Sequence, residues 1–161
     1  MAGIAFSINA SSGAVAPLLF APGLTATADR SFGSVVYQTT SGGVPATYIH
    51  DTRTGLARAL EFAPYPERCT WSLVASTTLY CPVPLSDSAA DYIDLWRQGA
   101  ASDVDSVLSF DTARATSQVL AIPGGADGGE ETDIAQLVAS PGGKYLLYIR
   151  KSDRSLWGVR L

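Results

Sequence analysis

Ile134-Ala135-Gln136-Leu137-Val138-Ala139 runs into Ser140-Pro141-Gly142-Gly143-Lys144, then Tyr145-Leu146-Leu147-Tyr148-Ile149, then Ser152-Asp153-Arg154-Ser155, and closes on Leu156-Trp157-Gly158-Val159-Arg160-Leu161. Three β-prone runs separated by two turns predict a three-stranded meander. Pro141 presets φ for a tight turn, and the glycines after it supply the positive φ that L-residues resist. The middle run is apolar on consecutive residues, so both of its faces need cover. A meander of three strands cannot cover itself on both sides. The unit is therefore expected to belong to a stack of similar sheets.

The bounds of the chain agree. Its 161 residues suffice for one domain, which at this size buries roughly 70% of its unfolded surface. The composition is 47% hydrophobic and 16% charged, the latter below the ~25% usual for soluble domains. Fifteen Gly and nine Pro favour an all-β chain with many turns. A net charge of −4 gives no electrostatic footprint for nucleic acid. No apolar run reaches the length of a membrane-spanning helix, so no membrane insertion by this segment is expected. Met1 to Ile8 carries no basic or apolar leader pattern, which puts any export signal outside this chain.

Read in order, the same turn chemistry returns. Asn9-Ala10-Ser11-Ser12-Gly13, Asp51-Thr52-Arg53-Thr54-Gly55 and Asp111-Thr112-Ala113-Arg114-Ala115 each follow one β-prone run and precede another. The acid or amide at the head can accept from backbone N–H groups two residues on, and Gly closes the left-handed position. Ala115 departs from that rule, so the third turn is expected to differ slightly. A repeat of about 42 residues with one insertion of about 18 is the period of a four-stranded propeller blade. Residues 4–20 then supply the last two strands of one blade. Residues 24–62 and 68–122 form full blades, the second with an insertion at 85–105, and 134–161 gives three strands of a last one. The fold class is all-β, with four-stranded antiparallel blades, about three and a remainder in one partial domain.

These motifs resemble those of a known family. Ser140-Pro141-Gly142-Gly143-Lys144-Tyr145-Leu146-Leu147-Tyr148 resembles the SPDGK-hydrophobic turn of TolB-type β-propeller repeats, with Gly142 where Asp is usual. Asp51-Thr52-Arg53-Thr54-Gly55 resembles their D-x-x-T-G turn. Cys69-x-Trp71-Ser72, Leu79-Tyr80-Cys81-Pro82-Val83-Pro84, Tyr92, Trp96, Gln98-Gly99 and the terminal Leu156 to Leu161 resemble the C-terminal half of uncharacterised bacterial envelope propellers. The resemblance implies an interaction scaffold and a membrane anchor and earlier blades upstream. Closed rings usually hold at least four blades. The partner is therefore expected to be a protein, either a second copy or an upstream propeller segment. Two copies would bring 26 strands against the 24 of a six-bladed ring.

Several residues are candidates for specific roles. Cys69 and Cys81 flank a hairpin centred on Ala75 and fall opposite each other, where Cβ atoms come within disulfide reach. That pairing implies an extracytoplasmic home, in the periplasm or at the cell surface. Two small core residues in a reducing compartment are the other reading. In the insertion, Asp91 to Gln98 can form one or two helical turns. Asp91, Tyr92, Asp94, Trp96 and Arg97 would there offer hot-spot chemistry to a protein partner; alternatively the aromatics fold down and plug the rim between blades. Asp127, Glu130, Glu131 and Asp133 are oxygen donors on a Gly-rich frame that calcium would accept, although acidic linkers of this kind are more often simply solvated.

Catalysis finds little support. His50 is the only histidine, no G-x-S-x-G elbow accompanies it, and no Cys/His grouping suits zinc. No cofactor is assigned. The sequence favours a non-catalytic envelope or surface scaffold binding a protein through rim loops, and Trp157 is expected to be buried between blades. The alternative is a fragment of a propeller hydrolase acting on glycans or peptides, for which converging carboxylates of raised pKa would speak.

Overall fold

The computed structural model describes residues 2–62, 64–86, 92–124 and 132–161. Thirteen strands are found among them. The first sheet pairs β1 (Ala2–Ile8) with β2 (Val15–Pro22). The second is β3 (Thr25–Ala28), β4 (Ser34–Ser41), β5 (Val44–Asp51) and β6 (Ala57–Ala59), in that spatial order. The third is β7 (Thr70–Trp71), β8 (Thr78–Pro84), β9 (Asp105–Asp111) and β10 (Thr116–Ala121). The last is β11 (Ile134–Ala139), β12 (Tyr145–Arg150) and β13 (Leu156–Arg160). A 3₁₀ turn, Pro66–Arg68, leads into β7, and one helix, α1 (Tyr92–Arg97), lies in the insertion between β8 and β9. All strand pairings are antiparallel between sequence neighbours.

The repeat is visible in individual hydrogen bonds. Asp29 N, Ser72 N and Ser140 N donate to Ser34 O, Thr78 O and Tyr145 O, at 2.9 Å each, and so fix equivalent positions after the first strand of three blades. Ser34, Thr78 and Tyr145 in turn lie opposite Asp51, Asp111 and Arg160. The next residues, Thr52, Thr112 and Leu161, donate to Gly33 O, Thr77 O and Lys144 O. At the third-to-fourth-strand turn, Asn9, Asp51 and Asp111 each accept at Oδ1 from two backbone N–H groups, at 2.9–3.1 Å. β1 and β2 are therefore third and fourth strands of their blade. β11 to β13 are first, second and third.

Ala115 corrects one expectation. Its turn does not differ: Ala115 N donates to Asp111 O at 2.8 Å, as Gly55 N does to Asp51 O at 2.9 Å. Ala115 keeps φ at 58°, beside 73° for Gly55. The two side-chain caps and the closing backbone bond outweigh the steric cost of an L-residue there.

Burial explains the apolar runs. In β8, Leu79 and Cys81 pack with Val36, Ile49, Trp71 and Phe110 against the second blade. Tyr80, on the opposite face, packs with Val107, Ile134, Leu137, Leu146 and Tyr148 against the last blade. A strand sandwiched between two sheets needs apolar side chains on both faces. Pro82 and Pro84 are tolerated because β7 pairs with β8 only at Tyr80 and Leu79, leaving their inner edge free of ladder bonds. The outer flanks of the first and last blades are uncovered: Ile4, Phe6, Ile8, Val15 and Phe20 at one end, Val138, Tyr145, Leu147 and Leu156 at the other are all exposed. Trp157 is 48% exposed rather than buried. Its ring lies 5.3 Å from the Arg150 guanidinium and its indole N–H donates to Ser155 Oγ.

Candidate functional site

The side chains with unusual surroundings gather at one end of the blades, where second strands give way to third ones and each blade passes to the next. The Pro64-Tyr65-Pro66 run bends the chain into the 3₁₀ turn, and Arg68 ends it, 1% exposed. Its Nε and Nη2 donate to Ile134 O at 3.0 and 2.7 Å. Nη2 also donates to Asp105 Oδ2 and lies 3.4 Å from Asp133 Oδ1. Asp105 is the first residue of β9 and fully buried; its Oδ2 accepts from Ile134 N at 2.7 Å. Burial pushes the Asp105 carboxyl up to about 6, against the pull of the Arg68 charge.

Helix α1 closes over this pair. Tyr92 and Ile93 are buried beside Tyr65, with Trp96 and Ala101 packed on them. Trp96 Nε1 donates to both oxygens of Asp133, at 2.8 and 2.9 Å, and Ser102 Oγ donates to Oδ2 at 2.8 Å. Two cations lie over the Trp96 ring: Arg68 Cζ is 4.5 Å from its centroid and Lys151 Nζ 4.3 Å. Lys151, just past β12, also donates to Trp96 O at 3.0 Å and Ala101 O at 2.7 Å, capping the carbonyls at the helix end. Burial, with the Asp133 charge, pushes the Tyr92 phenol well above its ordinary range. The knot ties the insertion and third blade to the last blade.

Its buried ion pairs are sealed from solvent. Asp105 and Asp133 converge on Arg68, but their side chains are 0% and 4% exposed. Removing one member would strand the other as a buried charge, at a cost of about 3–5 kcal/mol. What α1 presents outward is different. Arg97 pairs with Glu67 Oε1 at 2.5 Å and Asp94 Oδ1 at 3.2 Å. Asp94 and Arg97 rim a hollow of about 200 Å³ between Pro22, Gly23, Gln38, Thr40 and Ile93. Its floor is fixed by the Gln38 amide, which donates to Thr47 Oγ1 and Pro64 O.

The residues singled out from sequence fall as follows. Cys69 and Cys81 form a disulfide, with Cα atoms 4.3 Å apart. Tyr92 is buried and Trp96 partly buried; both fold down onto the rim, because the apolar floor at Tyr65 and the Asp133 acceptor lie beneath them. Asp94 and Arg97 remain at the surface. Asp91 lies outside the described residues, as do Asp127, Glu130 and Glu131. The Asp133 carboxylate is engaged by Trp96, Ser102, Arg68 and Lys151. Among the described residues no group of three metal-ligating side chains occurs. His50 sits in β5 between Val35 and Ala57, while the neighbouring Asp51 Oδ1 caps its own turn, so they form no dyad. Sequence reasoning missed Arg68, Glu67 and Lys151.

The class defined by these sheets is a β-propeller, an arc of radially stacked four-stranded blades. Its particular form is TolB-like. The chain is similar to the crystal structure of TolB from Acinetobacter baumannii, with a TM-score of 0.63 at 13% identity, over 95% of this chain and 33% of that one. It is also similar to a putative 6-phosphogluconolactonase from Bacteroides fragilis, with a TM-score of 0.50 at 13% identity, over 96% of this chain and 43% of that one. The chain thus spans about a third to under half the length of these structures. No family model matches the sequence, and no curated protein matches it.

Proposed function

We propose that the chain is a non-catalytic part of an extracytoplasmic propeller scaffold, and that it binds a protein partner through the rim that carries α1. The observation that carries this reading is the division of labour at that rim. Of the groups with catalytic potential, Asp105 is spent on Arg68 and the Ile134 backbone and Asp133 on Trp96 of the helix, while Asp94 and Arg97 face solvent beside a shallow hollow, with Glu67 paired to Arg97. A rigidly seated helix with a charged outer face suits recognition, since little is lost in ordering it on binding. The disulfide supports an oxidising compartment. TolB-like architecture supports a scaffold by analogy only.

A photo-crosslinking residue at position 94 or 97, with controls at positions 53 and 114, tests the reading in an envelope extract. Discrete protein adducts at 94 and 97 but not at the controls are expected. Equal labelling at all four positions would refute it. The second reading, a fragment of a propeller hydrolase, draws on the raised pKa of Asp105 beside Asp133. It requires the two carboxylates to become accessible. Turnover of chromogenic glycosides or peptides that is abolished in Asp105→Asn would favour it.

A further inference from the structure

We propose that the cleft between the second and third blades, at the end opposite α1, binds a small aliphatic carboxylate, and that Arg58 recognises its charge. The cleft is separate from the rim and does not rest on the rim reading. It is a hollow of about 670 Å³, within the range of about 300–1,000 Å³ that small-molecule sites occupy. Its walls are the third-to-fourth-strand turns of two neighbouring four-stranded blades, Asp51 and the residues after it on one side, Thr112 and Ala113 on the other.

Arg58 lies in β6 opposite Ile49 and reaches across to the next blade, where its Nη2 donates to Thr112 O at 2.8 Å. That strand end is itself fixed, because Thr112 N and Oγ1 both donate to Thr77 O, at 2.7 and 2.9 Å. The guanidinium is thus held at the cleft through one of its five N–H groups. Among the described residues no carboxylate pairs with it. The acid in the lining, Asp51, is already engaged: Oδ1 accepts from Arg53 N and Thr54 N, and Oδ2 lies 3.8 Å from Arg53 Nη2. The repeat shows that the sheet does not need a cation here. The register that places Arg58 opposite Ile49, two residues before Asp51, places Gln118 opposite Ser109, two before Asp111, and Ala16 opposite Ser7, two before Asn9.

Two features narrow the ligand. The backbone N–H groups of both turns are spent, Arg53 and Thr54 on Asp51, Ala113 and Arg114 on Asp111. No amide cradle is left for a phosphate, whereas a carboxylate is matched by the remaining edge of one guanidinium. Ile49, Leu56 and Ala57 add apolar surface to the same hollow, which suits an aliphatic body.

Titration of hexanoate into the isotope-labelled chain, followed by amide chemical shifts, tests the proposal. Saturable shifts at Ala57, Arg58, Thr112 and Ala113 are expected, with α1 unmoved and a Kd on the order of 1 mM for a ligand of this size. Hexanamide, which keeps the shape and lacks the charge, is expected to bind about tenfold more weakly. Arg58→Gln, the side chain that the third blade carries at this register, should weaken hexanoate by a similar factor with native circular dichroism. Absence of saturable shifts at these amides would overturn the proposal, as would equal affinities for hexanoate and hexanamide. Inorganic phosphate binding as tightly as hexanoate would overturn the ligand class. Should Arg58→Gln not fold, the comparison of hexanoate with hexanamide on the unaltered chain decides alone.

Discussion

Exchanging the left-handed residues of the two equivalent turns isolates one physical cost. Gly55 and Ala115 close turns with the same hydrogen bonds, at φ of 73° and 58°. A Cβ added at Gly55 meets no atom within 4 Å, so Gly55→Ala introduces strain without a clash. An L-residue in the left-handed region costs roughly 1–2 kcal/mol. Glycine costs roughly 0.5–1 kcal/mol through the greater freedom of the unfolded chain. The difference predicts that Ala115→Gly stabilises by about 0.5–1 kcal/mol and Gly55→Ala destabilises by a similar amount. For a chain of this size that moves Tm by about 1–4 °C in opposite directions. Urea unfolding at constant m-value measures both. A loss of stability in Ala115→Gly, or a gain in Gly55→Ala, would show that the turns are not equivalent and that the repeat register derived from them is wrong.

Other outcomes are expected from the same geometry. Reducing the Cys69–Cys81 bridge, whose partners are 12 residues apart, should lower stability by about 2–4 kcal/mol; a denaturant midpoint indifferent to reductant would contradict this. Asp105 has a folded pKa of about 6, above the ~3.9 of an unfolded aspartate. Its protonated form therefore adds stability that is fully present below about pH 4 and lost as pH rises through 6. Asp105→Asn should flatten the midpoint between pH 4 and 6.5, whereas Asp51, Asp111 and Asp153, whose carboxyls are held low by backbone or arginine partners, lose their contribution only as pH falls below about 4. Trp157→Ala should change stability by less than about 1 kcal/mol, and Trp71→Ala, at a buried site, should cost about 3–5 kcal/mol; equal effects in urea titrations would count against the described burial.

Much of the fold could be read from residues because its signals are local. Strands are announced by apolar runs, the turns at Asn9, Asp51 and Asp111 by side chains that cap their own backbone, and the turn after Ser140 by Pro141 and its glycines. The disulfide followed from mirror placement about Ala75. The rim was less legible. Nothing in Pro64 to Cys69 marks Arg68 as buried, because its partners Asp105 and Ile134 lie 37 and 66 residues away. A six-residue helix is too short for its period to say which face turns inward, so Tyr92 and Trp96 could be read either way. Ala115 misled because sequence rules weigh the residue and not the three bonds that hold it.

The Arg68 knot has a kinetic consequence. Its bonds join positions separated by 37 to 66 residues, and those to Asp133 and Ile134 cannot form until the third and last blades have come together. Contacts of that kind arrive late in folding and add little to its rate. Interactions absent from the transition state instead slow escape from the native state. We expect the rim to act as a ratchet on lifetime, with Arg68→Met raising the unfolding rate far more than it lowers the refolding rate. Persistence of the folded form is the quantity such an arrangement would protect.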